Sequence, residues 1–140
     1  DAKIGDGHMR LGVVAGDHAT MIWPLLCGMA KAKYYLLTAE MIDGKEAERI
    51  GMVSKVVPRA DVVPTAMKLG RQFADGPAFA LSLTKRSLNQ WLRLGGITSF
   101  DYSMAVEKMA CFSADTQAGV KAVREKKAAD FPSKRRTKKH

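Results

Sequence analysis

The sequence predicts a mainly α-helical chain with short β segments, and three observations predict it. Apolar residues recur at helical spacing over much of the chain beyond Asp61. Breaks at Gly28, Asp75-Gly76-Pro77 and Gly95-Gly96 divide it into five to seven helices. Only two stretches read as strands, and two short strands need partners from sequence outside these 140 residues to make a stable sheet. The expectation is part of a larger α/β fold.

The elements follow in order. A short first strand ends near His8 and leads into Gly12-Val13-Val14-Ala15-Gly16, a flexible loop of small residues. The next helix runs from Asp17 to Leu26 and stops at Gly28, so its N-terminus points into that loop. A second helix covers 30–38. A third opens at Asp43, which forms a capping-box-like pair with Glu46, and closes at Gly51. Met52 to Val57 reads as a strand ended by Pro58. Asp61 is the expected N-cap of the following helix, which tolerates Pro64 in its first turn and turns Ala66, Leu69 and Phe73 toward a core. Phe79, Leu83 and Trp91 carry the pattern to Gly95-Gly96. Thr98 with Asp101 then marks a new start, giving helices over about 98–112 and 115–130. Trp91, Phe100 and Phe112 fall at core spacing and are read as packing residues.

Composition narrows the function classes. With 46% hydrophobic residues the chain has the material of one domain, and no apolar run reaches the ~20 residues of a membrane helix. The start, Asp1 to Gly7, lacks an initiator Met and the order of a secretory signal, so it is expected to be internal or excised. Cys27 and Cys111 have no CxxC partner or nearby His at ligand spacing. They predict two buried thiols in a reducing compartment, hence a cytoplasmic protein without a metal. The formal charge of +9 would suit nucleic acid. Five of those charges, however, are Lys134, Arg135, Arg136, Lys138 and Lys139, which leaves four for the rest of the chain. A basic tail over 133–140, read as disordered, explains most of the excess, and a nucleic-acid partner is not expected.

A loop that delivers a helix N-terminus presents unpaired N–H groups and partial positive charge. Here it carries His8, Asp17 and His18, three titratable groups within eleven residues, beside Met9, Leu11 and Trp23. Two readings stand on the residues alone. Either they are an acid/base set, or Asp17 is a helix cap and His8 a satisfied polar residue at a strand end.

Several segments carry a resemblance. Gly7-His8-Met9-Arg10-Leu11-Gly12-Val13-Val14-Ala15-Gly16-Asp17 followed by Ile22-Trp23-Pro24-Leu25-Leu26, then Tyr34 to Thr38, Ile42 to Ala47 and Gly51 to Pro58, resemble the enoyl-CoA hydratase/isomerase (crotonase) family in order and spacing. Thr84 to Asn89 and Gly119 to Phe131 resemble its closing helices. The resemblance implies the C-terminal half of an incomplete crotonase-like α/β fold of the ClpP/crotonase superfamily. Residues 1–60 would be the acyl-pocket part of its core, and 61–132 a helical trimerisation region.

It also implies an acyl-CoA substrate, with coenzyme A as part of the substrate and no separate cofactor, and hydration or isomerisation through a stabilised enolate. In the family two backbone N–H groups hold the thioester oxygen. Those groups, and one of two catalytic glutamates, belong to the missing N-terminal half. The other glutamate follows a proline in the loop, where this chain has Gly7-His8. Three explanations stay open: His8 replaces it, Asp17 takes over, or the reaction is another of the family's. Gly16, His18 and Trp23 are implied as acyl-pocket residues, and His18-Ala19 in place of small glycines predicts a narrower pocket. Lys126 is implied to approach the coenzyme A phosphates, its plainer role being a cation at a helix end. Partners implied are the missing half and further copies in a homotrimer or hexamer. The alternative is a catalytically altered, non-catalytic acyl-CoA-binding or assembly protein.

Overall fold

In the computed structural model, which describes residues 2–134, the chain opens with a minimal antiparallel ladder. β1 (Lys3–Ile4) pairs with β2 (Ile42–Asp43), Lys3 opposite Asp43 and Ile4 opposite Ile42. His8 is not at a strand end: His8–Leu11 forms a single 3-10 turn. Gly12 closes it with φ +66, a left-handed conformation that favours glycine, its N–H on the Met9 carbonyl and the Val13 N–H on that of His8.

α1 (Ala19–Thr38) is interrupted at Gly28, where φ is +76 and ψ +157. The two helices expected either side of that glycine are its two segments. α2 (Gly44–Arg49) is capped by Asp43, whose side chain accepts the Glu46 N–H at 2.9 Å. Only half of the expected capping box forms. The Glu46 carboxylate turns to the Tyr35 hydroxyl at 2.8 Å and to Arg49 Nε and Nη2 at 2.5 and 2.6 Å.

Residues 52–57 are not a strand. Three of their N–H groups turn to the end of α2: Met52 and Val53 donate to the Ala47 carbonyl at 2.8 and 3.3 Å and Val56 to Glu48 Oε1 at 2.9 Å, which takes those donors from a ladder. α3 (Val62–Ala74) begins after a 3-10 turn, and Asp61 makes no capping bond. α4 (Ala78–Gly95) follows the Asp75-Gly76-Pro77 break as expected.

Gly95-Gly96 does not end the helical path. The chain continues through a π turn (Gly96–Phe100) directly into α5 (Asp101–Cys111), so α5 covers most of the expected 98–112 helix but opens without a break or a capping bond from Thr98. The two glycines lie under the Met21 side chain of α1, and the wider turn loosens carbonyls that Thr98 and Ser99 hydroxyls satisfy, at 2.8 Å to Leu94 and 2.7 Å to Gly95. α6 (Ala114–Arg124), capped by Ser113 on the Thr116 N–H, stops short of the expected residue 130. Lys126 takes φ +54, with its N–H on Val123 O and the Lys127 N–H on Ala122 O, a Schellman-type closure.

The core lies almost wholly between residues 13 and 52, built from Ala15, Ala19, Trp23, Tyr35, Leu36, Ile42, Ala47 and Met52. α3 and α4 bury no residue. The face of Leu69 and Phe73, expected to meet a core, is therefore exposed, and so are Phe79, Trp91, Phe100 and Phe112. Nor are both thiols buried: Cys27 is partly covered and Cys111 exposed. No described helix is long and apolar enough to cross a membrane. The basic tail lies outside the described residues apart from Ser133 and Lys134. Ser133 donates its N–H to Asp115 at 2.9 Å and Lys134 pairs with Asp130.

Candidate functional site

The glycine loop is gripped from both sides. α6 lies against its start: a Cβ on Gly12 would meet the Asp115 backbone at 2.9 Å, one on Gly119 would overlap the Leu11 carbonyl, and Thr116 Oγ1 donates to Gly12 O at 3.1 Å. α5 lies against its end, where a Cβ on Gly16 would overlap the Ser103 carbonyl oxygen and approach Glu107 Cβ at 2.7 Å. Val13, Ala15 and Gly16 are buried, so the loop is an internal junction of α1, α5 and α6.

His8 and Asp17 meet where this junction opens. Asp6 joins them, and the ligand-type atoms of the three all lie within 4.8 Å of one another. Asp6, 7% exposed, accepts the His8 N–H on Oδ1 at 3.0 Å, and both of its oxygens stand 2.9 Å from His8 Nδ1. This Asx-type turn passes through Gly7. A cation would find atoms at ligand spacing here, among the described residues, although Asp6 already spends both oxygens on His8.

Asp17 is not the N-cap of α1: that position is His18, which makes no side-chain capping bond, and Asp17 stands one residue before it. Its carboxylate accepts the Ala19 N–H at 3.3 Å at the start of α1 and sits 3.2 Å from His18 Nδ1. Partial burial pushes its carboxyl up, but the Ala19 N–H and the His18 and His8 rings outweigh that and hold it below its ordinary value. His18 itself is exposed. Gly16 is the contact point with α5, whereas Trp23 is buried in the core one turn along α1. Lys126 stands apart on the left-handed corner after α6, off the helix rather than in it.

Two groups escaped the sequence reading. Asp6 was signalled by Asp6-Gly7-His8, a turn signature in which a carboxylate reaches two residues forward. Glu107 had no local signal. Its Oε2 is buried with no hydrogen-bond partner among the described residues, beside Gly16. Two concavities lie elsewhere. One of about 600 Å³ is lined by Ile4, Val53, Val56, Val62 and Leu69, and one of about 580 Å³ between α5 and α6 by Cys111, Val120, Lys121 and Arg124.

Comparison with known proteins bears on this arrangement. The profile described as enoyl-CoA hydratase/isomerase matches residues 1–134. A crotonyl-CoA hydratase of Syntrophomonas wolfei is 34% identical over 96% of this chain and 52% of its own length. A short-chain-enoyl-CoA hydratase of Clostridium acetobutylicum is 31% identical over 84% and 44%. Among solved structures, an enoyl-CoA hydratase/isomerase from Mycobacterium paratuberculosis superposes with a TM-score of 0.79 at 30% identity, covering 86% of this chain and 48% of that one. One from Pseudoalteromonas atlantica gives 0.83 at 23%, covering 93% and 52%. The chain spans about half the length of the relatives it matches.

Proposed function

The chain belongs to the enoyl-CoA hydratase/isomerase family, and from that premise we propose that the protein containing it acts on acyl-CoA thioesters, hydrating or isomerising an enoyl-CoA through a stabilised enolate. The observation that carries the reading is the family match over residues 1–134, which includes the loop where His8, Asp17 and Asp6 converge.

The chemistry assigned to this half is proton transfer. His8 stands where the family resemblance expects a glutamate, and an imidazole nitrogen with a free lone pair can accept a proton and return it. Asp17, held below its ordinary carboxyl value, is the weaker base and the better fixed negative charge. In hydration His8 takes a proton from water as the hydroxyl adds to the β carbon. The donors that hold the thioester oxygen come from outside these residues. Gly16, His18 and Trp23 bound the acyl end, with His18 narrowing it, and Lys126 reaches the phosphates of coenzyme A. The exposed apolar faces of α3 and α4 support the remaining proposals: cover by the rest of the full-length chain and by copies in a homotrimer or hexamer. A cytoplasmic location is part of the same proposal, and the two unpaired thiols support it.

The test is an assay of the full-length gene product with crotonyl-CoA and with a 3-enoyl-CoA. Turnover of the first identifies a hydratase, and conversion of the second an isomerase. Activity on neither overturns the proposal. His8→Ala and Asp17→Ala, made separately, are expected to lower kcat by at least a hundredfold and about tenfold respectively. Unchanged rates in both would favour a non-catalytic binding or assembly protein.

A further inference from the structure

We infer that Asp6 is the positioning residue of the site: it fixes the ring and tautomer of His8 so that Nε2 is the nitrogen presented to the reacting atoms. This rests on the proposed role of His8 as the proton acceptor. The observation is the geometry of a buried carboxylate wrapped around one edge of an imidazole. Both Asp6 oxygens lie 2.9 Å from Nδ1, and Oδ1 also takes the His8 backbone N–H at 3.0 Å, so ring and main chain are held by one group. A carboxylate accepts and cannot donate, so Nδ1 must carry the hydrogen and Nε2 the lone pair. When Nε2 takes a proton, the resulting imidazolium lies against a negative charge that is already in place and sheltered from water, and no reorganisation is needed. When Nε2 gives the proton back, the neutral tautomer is the one from which the cycle began. The balance is a single proton moving between Nε2 and the substrate or its water.

The surroundings leave this role to Asp6. Asp17 is the other carboxylate near the ring, and it accepts the Ala19 N–H and faces His18. Arg10, on the same turn, donates to the Ala39 carbonyl at 2.8 Å. α6, packed on that turn, brings Asp115, whose carboxylate accepts from Ser133. The first turn of α1, Ala19 to Ile22, carries no titratable group. Asp6 also explains how a histidine can stand in a glutamate's place: the negative charge is kept but moved one group back, so the pair carries the same net charge as a lone carboxylate.

The experiment uses the full-length enzyme, with Asp6→Asn as an isosteric variant and crotonyl-CoA as substrate. Asp6→Asn is expected to lower kcat 10- to 100-fold while KM changes less than threefold. Long-range ¹⁵N–¹H spectra should show the His8 resonance with hydrogen on Nδ1 in the unmodified enzyme. A kcat within twofold, or a loss of activity that only tracks a fall in Tm, would overturn the inference. Asp6→Ala, which removes both acceptors, should mix the two tautomers; an unchanged pattern in that variant also counts against it. If His8→Ala leaves turnover intact, the reading beneath fails instead, and the two failures are told apart.

Discussion

At the scale of single residues, the best-defined polar cluster is not at the loop but behind it. Glu46 is held down to about 2, first by the Arg49 guanidinium and then by the Tyr35 hydroxyl, against the cost of its desolvation. Tyr35 is pushed up to about 12, chiefly by the hydrogen bond it gives to Glu46. The signs follow from linkage. The Glu46 contribution is whole above its ordinary value of 4.5 and is lost as pH falls toward 2. The Tyr35 contribution is whole below 10.0 and is lost as pH rises through 12. Tyr35→Phe is therefore expected to flatten the stability–pH curve at its alkaline end and to shrink its acid slope, measured as urea midpoints across the range. An alkaline slope identical to that of the unmodified protein would contradict this.

Among the elements, the break in α1 is where backbone chemistry decides the shape. The Gly28 conformation is one that essentially only glycine adopts, and a Cβ there would meet nothing within 4 Å. Any cost of substitution is thus strain in the chain and not crowding. Gly28→Ala is expected to cost about 1–3 kcal/mol in denaturant unfolding of the full-length protein. A change below 0.5 kcal/mol would show that the break is not obligatory. The break also matters for packing. It lets the segment from Ala32 to Leu36 bury against Ile42 and Ala47, while the first segment buries Ala19 and Trp23 beside the loop. The α5 and α6 contacts through Gly16 and Gly119 work the other way: there the absent side chain allows two backbones to touch, and the loop is pinned between them.

The molecule as a whole exposes too much. Its accessible surface is 10890 Å², whereas a folded monomer of 15.3 kDa is expected to expose ~7,100 Å². Much of the excess lies on α3, α4 and the π turn, where Phe79 is 80% exposed, Trp91 64% and Ile97 82%. Side chains of this size are stabilised by burial at roughly 25 cal/mol per Å², so faces like these seek cover. These 140 residues prepared alone are expected to self-associate at micromolar concentration and to bind a hydrophobic dye, read by light scattering and fluorescence. The full-length protein should do neither beyond its native oligomer. A dye-silent monomer of the short chain would refute this.

What the sequence determined by itself was local or written in family spacing. The Asp43 cap, the breaks at Gly28 and Asp75-Gly76-Pro77, the mainly helical class, and the kinship carried by the runs from Gly7 to Leu26 and Gly119 to Phe131 all depend on residues a few positions apart. Tertiary structure decided the rest. Whether Met52 to Val57 pairs as a strand depends on where its N–H groups find acceptors, and α2 offered them first. Whether Gly95-Gly96 stops a helix depends on Met21, some seventy positions earlier. Whether Trp91 and Phe112 are core depends on what packs against them, and no described element buries either. His8 and Asp17 stood out from the start, but the carboxylate that orients the imidazole was seen only once the Asp6 turn folded back on it, because direction and burial are properties of a packed structure and not of spacing.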